Sequence, residues 1–220
     1  MSRRPDSRDA LLAAAEAVVL KAGAAHLTLD AVAEKAGVSK GGLLYHFPNK
    51  AALLEAMVAR QIARCETAEN AVRDTLPETP GKPLQAYVLA ALREQADTRR
   101  ICSALLAAAA NNPKLLAPAR ENFRRRLNAL AKSTGGNFAR AAAVCLATDG
   151  LWLLELLNLS PLTTGEREKV LAELLRLAEL AAVPAPLARR PQKIIPPARN
   201  GATHTRRSGS KKPALVSSPL

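Results

Sequence analysis

"SKGGLLYHF", Ser39 to Phe47, is the stretch on which the fold turns. It lies between "AGV" (Ala36 to Val38) and "PNK" (Pro48 to Lys50), and those breakers leave room for a helix of barely two turns. Ser39 is placed to cap its start, and Pro48 ends it. Yet Gly41 and Gly42 occupy the first turn, where each costs about 1 kcal/mol relative to alanine. On those two residues alone a loop is the better choice; the neighbouring segments overturn it.

Upstream, Thr28 is a natural N-cap for a helix lined on one side by Leu29, Val32, Ala33 and Ala36, with Asp30 near its positive end and Gly37 closing it. A further helix, roughly Arg8 to Ala22, is capped by Asp6 or Ser7 and ends at Gly23; Leu11, Leu12, Ala15, Val18 and Val19 give it one apolar face. Downstream, Asn49 caps a long helix from Lys50 into the sixties or early seventies. Two short helices joined by a tight glycine turn and braced by another make a helix-turn-helix. Its second helix presents its N-terminal residues to the major groove of DNA. Gly41 and Gly42 then have a purpose, because a first turn without side chains lets the backbone approach DNA closely. Val38, Leu43 and Phe47 are expected to pack beneath this helix. Lys50, a cation at a positive helix end, becomes favourable once a phosphate docks there. Tyr45 and His46 either reach phosphate oxygens or pack at the helix end.

Composition fits an all-α chain. Of 220 residues, 48% are hydrophobic but only 3% aromatic, so Leu, Ala and Val must build the core, and no alternating run reads as a strand. Cys65, Cys102 and Cys145 are odd in number and unpaired by spacing, reading as buried apolar residues rather than a disulfide or zinc framework. His26, His46 and His204 have no metal-site spacing, "GVSKGG" lacks the Lys-Ser/Thr of a phosphate loop, and no G-x-S-x-G elbow occurs. No catalytic residue, metal or cofactor is therefore expected. Asp6, Asp9 and Glu16 interrupt the N-terminal apolar run, and Asp149 and Glu155 interrupt the most apolar later one. The expectation is a soluble, cytoplasmic chain with no membrane span. Pro184 to Leu220 carries eight Lys or Arg, no Asp or Glu, and seven of fifteen prolines, so +8 of the net +13 lies there. This segment reads as a disordered basic tail, either touching nucleic-acid phosphates or simply solvated.

"TLDAVAEKAGVSKGGLLYHFPNKAALLEAMV", Thr28 to Val58, resembles the DNA-binding domain of the tetracycline-repressor (TetR) family of bacterial regulators, and the likeness runs from about Ser7. It implies phosphate contacts from Thr28, Tyr45, His46 and Lys50, with Ser39, Lys40 and Gly41 lining the groove and Gly42 beside them. The commonest family pattern has Thr or Ser at the position of Gly42 and Tyr at that of Leu44. The losses shift readout toward Lys40, backbone amides and DNA shape.

Further helices are expected at "LQAYVLAALREQA", "RRICSALLAAAA", "KLLAPARENFRRRLNALAKS" (closed by Gly135-Gly136), Phe138 to Leu159, and Thr164 to Ala181 with Thr164 and Glu166 at its start, about nine in all. The expected division is a head (1–52), a helical ligand-binding and dimerisation domain (53–183) and the tail (184–220). The family likeness implies a homodimer through the last two helices, about 138–181, where Leu151, Leu154, Leu157, Leu171, Leu174, Leu175 and Leu177 exceed what one bundle face needs. It also implies a small-molecule effector, for which Tyr87, Phe123, Asp149 and Trp152 are the candidate contacts; Phe138 and Glu155 are nearby aromatic and acidic groups. Asp149 is the notable polar intrusion in an apolar helix, whether toward a pocket, a partner or solvent. The resulting expectation is a ligand-responsive repressor that binds a palindromic site on double-stranded DNA. The rivals are an all-α bundle that binds a ligand or partner without DNA, and a non-specific nucleic-acid binder acting through the tail.

Overall fold

Alanine and leucine fill the segments between the glycine and proline breaks, and those segments are helical. The computed structural model describes residues 7–93, 96–135 and 137–181, which contain nine α-helices and no strand. They are α1 (Ser7–Ala22), α2 (Leu29–Ala36), α3 (Lys40–His46), α4 (Lys50–Thr75), α5 (Lys82–Leu92), α6 (Ala96–Asn111), α7 (Ala117–Ser133), α8 (Phe138–Leu156) and α9 (Thr164–Ala181). Short 3-10 turns at Ala24–His26 and Pro113–Leu116 precede α2 and α7. Asp6, Gly136 and the tail from Pro184, with the caps and disorder expected of them, lie outside the described residues.

Several boundaries differ from the sequence expectation for local reasons. α4 persists to Thr75 and stops where Leu76, extended at ψ 149, precedes Pro77; proline disfavours a helical residue before it. α5 ends at Leu92, short of "REQA". α8 ends at Leu156 rather than Leu159, because Asn158 takes the left-handed φ of 54 and the Leu159 amide bonds back to Leu154. α9 is capped by Thr163, not Thr164: the Thr163 hydroxyl accepts from the Glu166 amide at 3.3 Å, and Glu166 accepts from the Thr163 amide at 2.8 Å. This is a reciprocal capping box. Those bonds hold the Glu166 carboxyl below its ordinary range.

Two apolar cores result. The first joins α1 to α4 with Ile101, Ala104 and Leu105 of α6 and with Leu115. The second is built from α5, α7, α8 and α9 around Leu84, Val88, Leu130, Val144 and Leu174. α4 belongs to both regions, packing its first half in the head and meeting α5 and α7 with its second. Arg64 of α4 grips buried Glu16 of α1 through two bonds of 2.8 Å, and Arg60 lies 3.4 Å from the same carboxylate. That pairing neutralises a buried charge and locks α1 onto α4. The three cysteines form no disulfide, and Cys102 and Cys145 are buried. No described helix is long and apolar enough to cross a membrane.

Candidate nucleic-acid interface

Three caps fix the head. Thr28 Oγ1 accepts from the Ala31 amide at 3.1 Å, Ser39 Oγ from the Gly42 amide at 3.1 Å, and Asn49 Oδ1 from the Ala52 amide at 2.9 Å. Each satisfies one amide that a helix start leaves open. Beneath α3, Leu43 and Phe47 are 0% and 1% exposed, and the Arg8 guanidinium stands 5.2 Å over the Phe47 ring. Val38 does not join them: it is 42% exposed, because the turn at Gly37, with φ 69, leaves it outside.

The other side of α3 is open. Ser39, Lys40, Gly41, Gly42 and Tyr45 are exposed, as are Thr28 at the start of α2 and Lys50 at the start of α4, whereas His46 is half-buried. Tyr45 is 86% exposed and meets the His46 ring edge-on at 5.2 Å. Lys40 Nζ lies 2.9 Å from an oxygen of Asp30, which links the first turns of α3 and α2. From sequence Asp30 is only an acid beside a helix dipole, because no local spacing reports a pairing across the turn.

Among the described residues nothing requires the two glycines. A Cβ on Gly41 would meet only Ser39 Oγ, at 4.0 Å, and one on Gly42 would meet Ser39 Oγ at 3.4 Å and Val38 Cβ at 3.9 Å. Both positions tolerate a methyl group, so the helix-propensity cost has no intramolecular reason. The surface is bare backbone flanked by Lys40 and Tyr45, a shape and charge suited to a phosphate-lined groove.

The four effector candidates fare differently. Tyr87 donates its hydroxyl to the Asp149 carboxylate, so Asp149 faces the bundle interior and not solvent. Arg126 sits 4.8 Å over the Tyr87 ring and pairs with Glu69, forming a chain of polar groups across α4, α7, α5 and α8. Burial keeps the Asp149 carboxyl above its ordinary range despite the Tyr87 bond, and burial, with Asp149 nearby, pushes the Cys145 thiol up to about 12. Trp152 is half-buried against the same core. Phe123 of α7 is 51% exposed and Phe138 of α8 is 50% exposed. Glu155 is held by Arg167 at 2.5 Å and by Arg99 at 3.5 Å. The roles of Arg126 and Glu69 are not visible in sequence, since an Arg in the run "RRR" looks like a solvated face.

The head and bundle together define a helix-turn-helix protein with a helical C-terminal domain. Residues 11–57 match the family model for bacterial regulatory proteins of the tetR family, and residues 81–179 match that for the tetracyclin repressor-like C-terminal domain. The chain belongs to the TetR family. It is 42% identical over 53 residues to the HTH-type transcriptional regulator TtgR of Pseudomonas putida, a match that covers 24% of this chain and 25% of that relative. The chain thus matches a quarter of the curated relative's length. Among solved structures, a transcriptional regulator from Streptomyces coelicolor A3(2) aligns with TM-score 0.64 at 21% identity, over 79% of this chain and 99% of that one. At that identity the likeness is one of fold. The multidrug binding protein EbrR complexed with ethidium aligns with TM-score 0.57 at 27% identity, over 77% of this chain and 98% of that one.

Proposed function

We propose that this chain is a cytoplasmic, sequence-specific DNA-binding regulator of transcription, a repressor that acts as a homodimer on a palindromic site. The carrying observation is the first turn of α3, two exposed glycines that no contact among the described residues needs, set between Lys40 and Tyr45. Thr28, Ser39, Lys40, Gly41, Gly42, Tyr45, His46 and Lys50 form the DNA-facing surface, with the bases read in the major groove and Lys50 and the N-terminus of α4 on phosphate. Residues 1–52 act as the head, 53–183 as the effector and dimer domain, and the tail from residue 184 as a separate extension.

The exposed leucines of α8, of its C-cap Leu157 and of α9 support the dimer. Leu153, Leu154, Leu157, Leu177 and Leu180 are each between 37% and 47% exposed, and pairing those helices with a second copy covers them. Two heads then meet successive turns of DNA.

For the effector, the group around Tyr87, Asp149 and Trp152 is the proposed site, in the domain whose relative EbrR was solved with ethidium. α4 transmits its state, since Lys50 begins at the DNA surface and Glu69, on the same helix, pairs with Arg126 over Tyr87. A ligand that binds the DNA-incompetent arrangement more tightly releases the operator, with coupling of about 1–3 kcal/mol.

Selection from a randomised duplex pool tests the reading, run with the intact chain and with a chain lacking Pro184 to Leu220. Recovery of one palindromic motif by both is the expected result. Loss of all binding with the tail would favour the non-specific alternative.

A further inference from the structure

We infer that Asp30 is a specificity-determining residue, which holds Lys40 for reading bases and keeps it from acting as a free phosphate-binding cation. The inference rests on the DNA-binding reading above and extends it to a residue outside the recognition helix.

Lys40 is the first residue of α3, so its ammonium stands at the positive end of that helix. Asp30 Oδ1 lies 2.9 Å from Nζ and Oδ2 3.2 Å, so the carboxylate offsets this charge from the neighbouring helix. The two side chains are 59% and 69% exposed and, with Ser39 and Gly41, give the start of α3 a solvent-facing surface. An ion pair this exposed contributes little to folding, so its effect falls on whatever docks against that face.

Non-specific binding to DNA is almost wholly a matter of cations meeting phosphates. A lysine already neutralised by Asp30 adds little to it, and the Asp30 carboxylate itself repels phosphate. Base reading differs. The ammonium has three donors, so it can keep Asp30 and still donate to the O6 and N7 acceptors of guanine. Anchoring one donor removes rotamer freedom that the long side chain otherwise loses on binding. A carboxylate beside it also suits the N4 donor of the paired cytosine. The pair therefore penalises sequence-blind contacts while leaving a G·C contact available.

The test measures binding of the full chain and its Asp30→Asn, Lys40→Ala and double variants to the selected duplex and to a scrambled duplex, across a salt series. Asp30→Asn is expected to tighten scrambled-duplex binding about fivefold, to steepen its salt dependence by about 1.8 in log–log slope for a dimer with both heads on DNA, and to leave operator binding no tighter. The discrimination between duplexes then falls by about fivefold or more. In the Lys40→Ala background, Asp30→Asn is expected to have no such effect. Equal tightening on both duplexes, or the same effect without Lys40, marks a general charge effect and overturns the inference. No change on either duplex also overturns it. If the unmodified chain prefers no duplex, the DNA reading itself fails; a preference that Asp30→Asn leaves intact defeats only the role given to Asp30. Thermal melts of each variant establish that all are folded.

Discussion

Gly41 gives the sharpest separation between what the fold needs and what binding needs. A methyl group there meets only Ser39 Oγ, at 4.0 Å, so Gly41→Ala is expected to stabilise the protein by about 1 kcal/mol through helix propensity. The same methyl group stands between backbone and groove, so DNA affinity is expected to fall by about tenfold or more, a loss above about 1.4 kcal/mol. A thermal melt and a fluorescence-anisotropy titration read the two effects on one sample. In the bundle, Asp149 has its carboxyl raised by burial. The folded state therefore holds that proton more tightly than the unfolded chain, and this group's contribution to stability falls as pH rises from about 4. Asp149→Asn, which still accepts from Tyr87, is expected to gain stability relative to the unmodified chain as pH climbs from about 4 to about 7, read as the difference between denaturant midpoints. The caps Thr28, Ser39 and Asn49 were legible from sequence because each partner lies three residues away. Asp149 stood out as a polar intrusion, but its partner Tyr87 is 62 positions distant and no local pattern reports it.

At the scale of the element, α3 is a seven-residue helix carrying two glycines, too short to persist alone. It stands because Ser39 caps it and because Leu43 and Phe47 are buried beneath it. Ser39→Ala is expected to cost about 1 kcal/mol of stability, seen as a lower denaturant midpoint, and to weaken DNA binding as the first turn frays. Most helix limits were readable because glycine and proline act within one or two residues. The errors fall where a tertiary or non-glycine device intervened. Asn158 ends α8 in a left-handed conformation usually given to glycine. Thr163 takes the cap from Thr164 because Glu166, three residues on, reaches back to it. Val38 was expected beneath α3 from its apolarity, but the turn geometry at Gly37 decides its direction.

For the whole molecule, the order of capped helix, glycine turn, short helix and proline stop was enough to place the fold and to mark the exposed face of α3. Which leucines close the monomer's core was not readable, since helical spacing marks a face but not what covers it. Leu151 and Leu174 turn inward, at 7% and 4% exposure, whereas Leu154 and Leu177 stay 41% and 37% exposed. Leu154→Glu with Leu177→Glu is expected to leave each monomer folded, to halve the sedimenting mass, and to weaken operator binding by more than about tenfold as one head loses its partner. Whether α3 and the start of α4 engage DNA in a sequence-dependent way is read in one comparison. The intact chain and a Tyr45→Ala/Lys50→Ala variant are offered the same randomised duplex pool at physiological salt. One palindromic motif is expected for the intact chain and, for the folded variant, loss of affinity for it. Equal binding of every sequence by both proteins, abolished in both by removing Pro184 to Leu220, would contradict it.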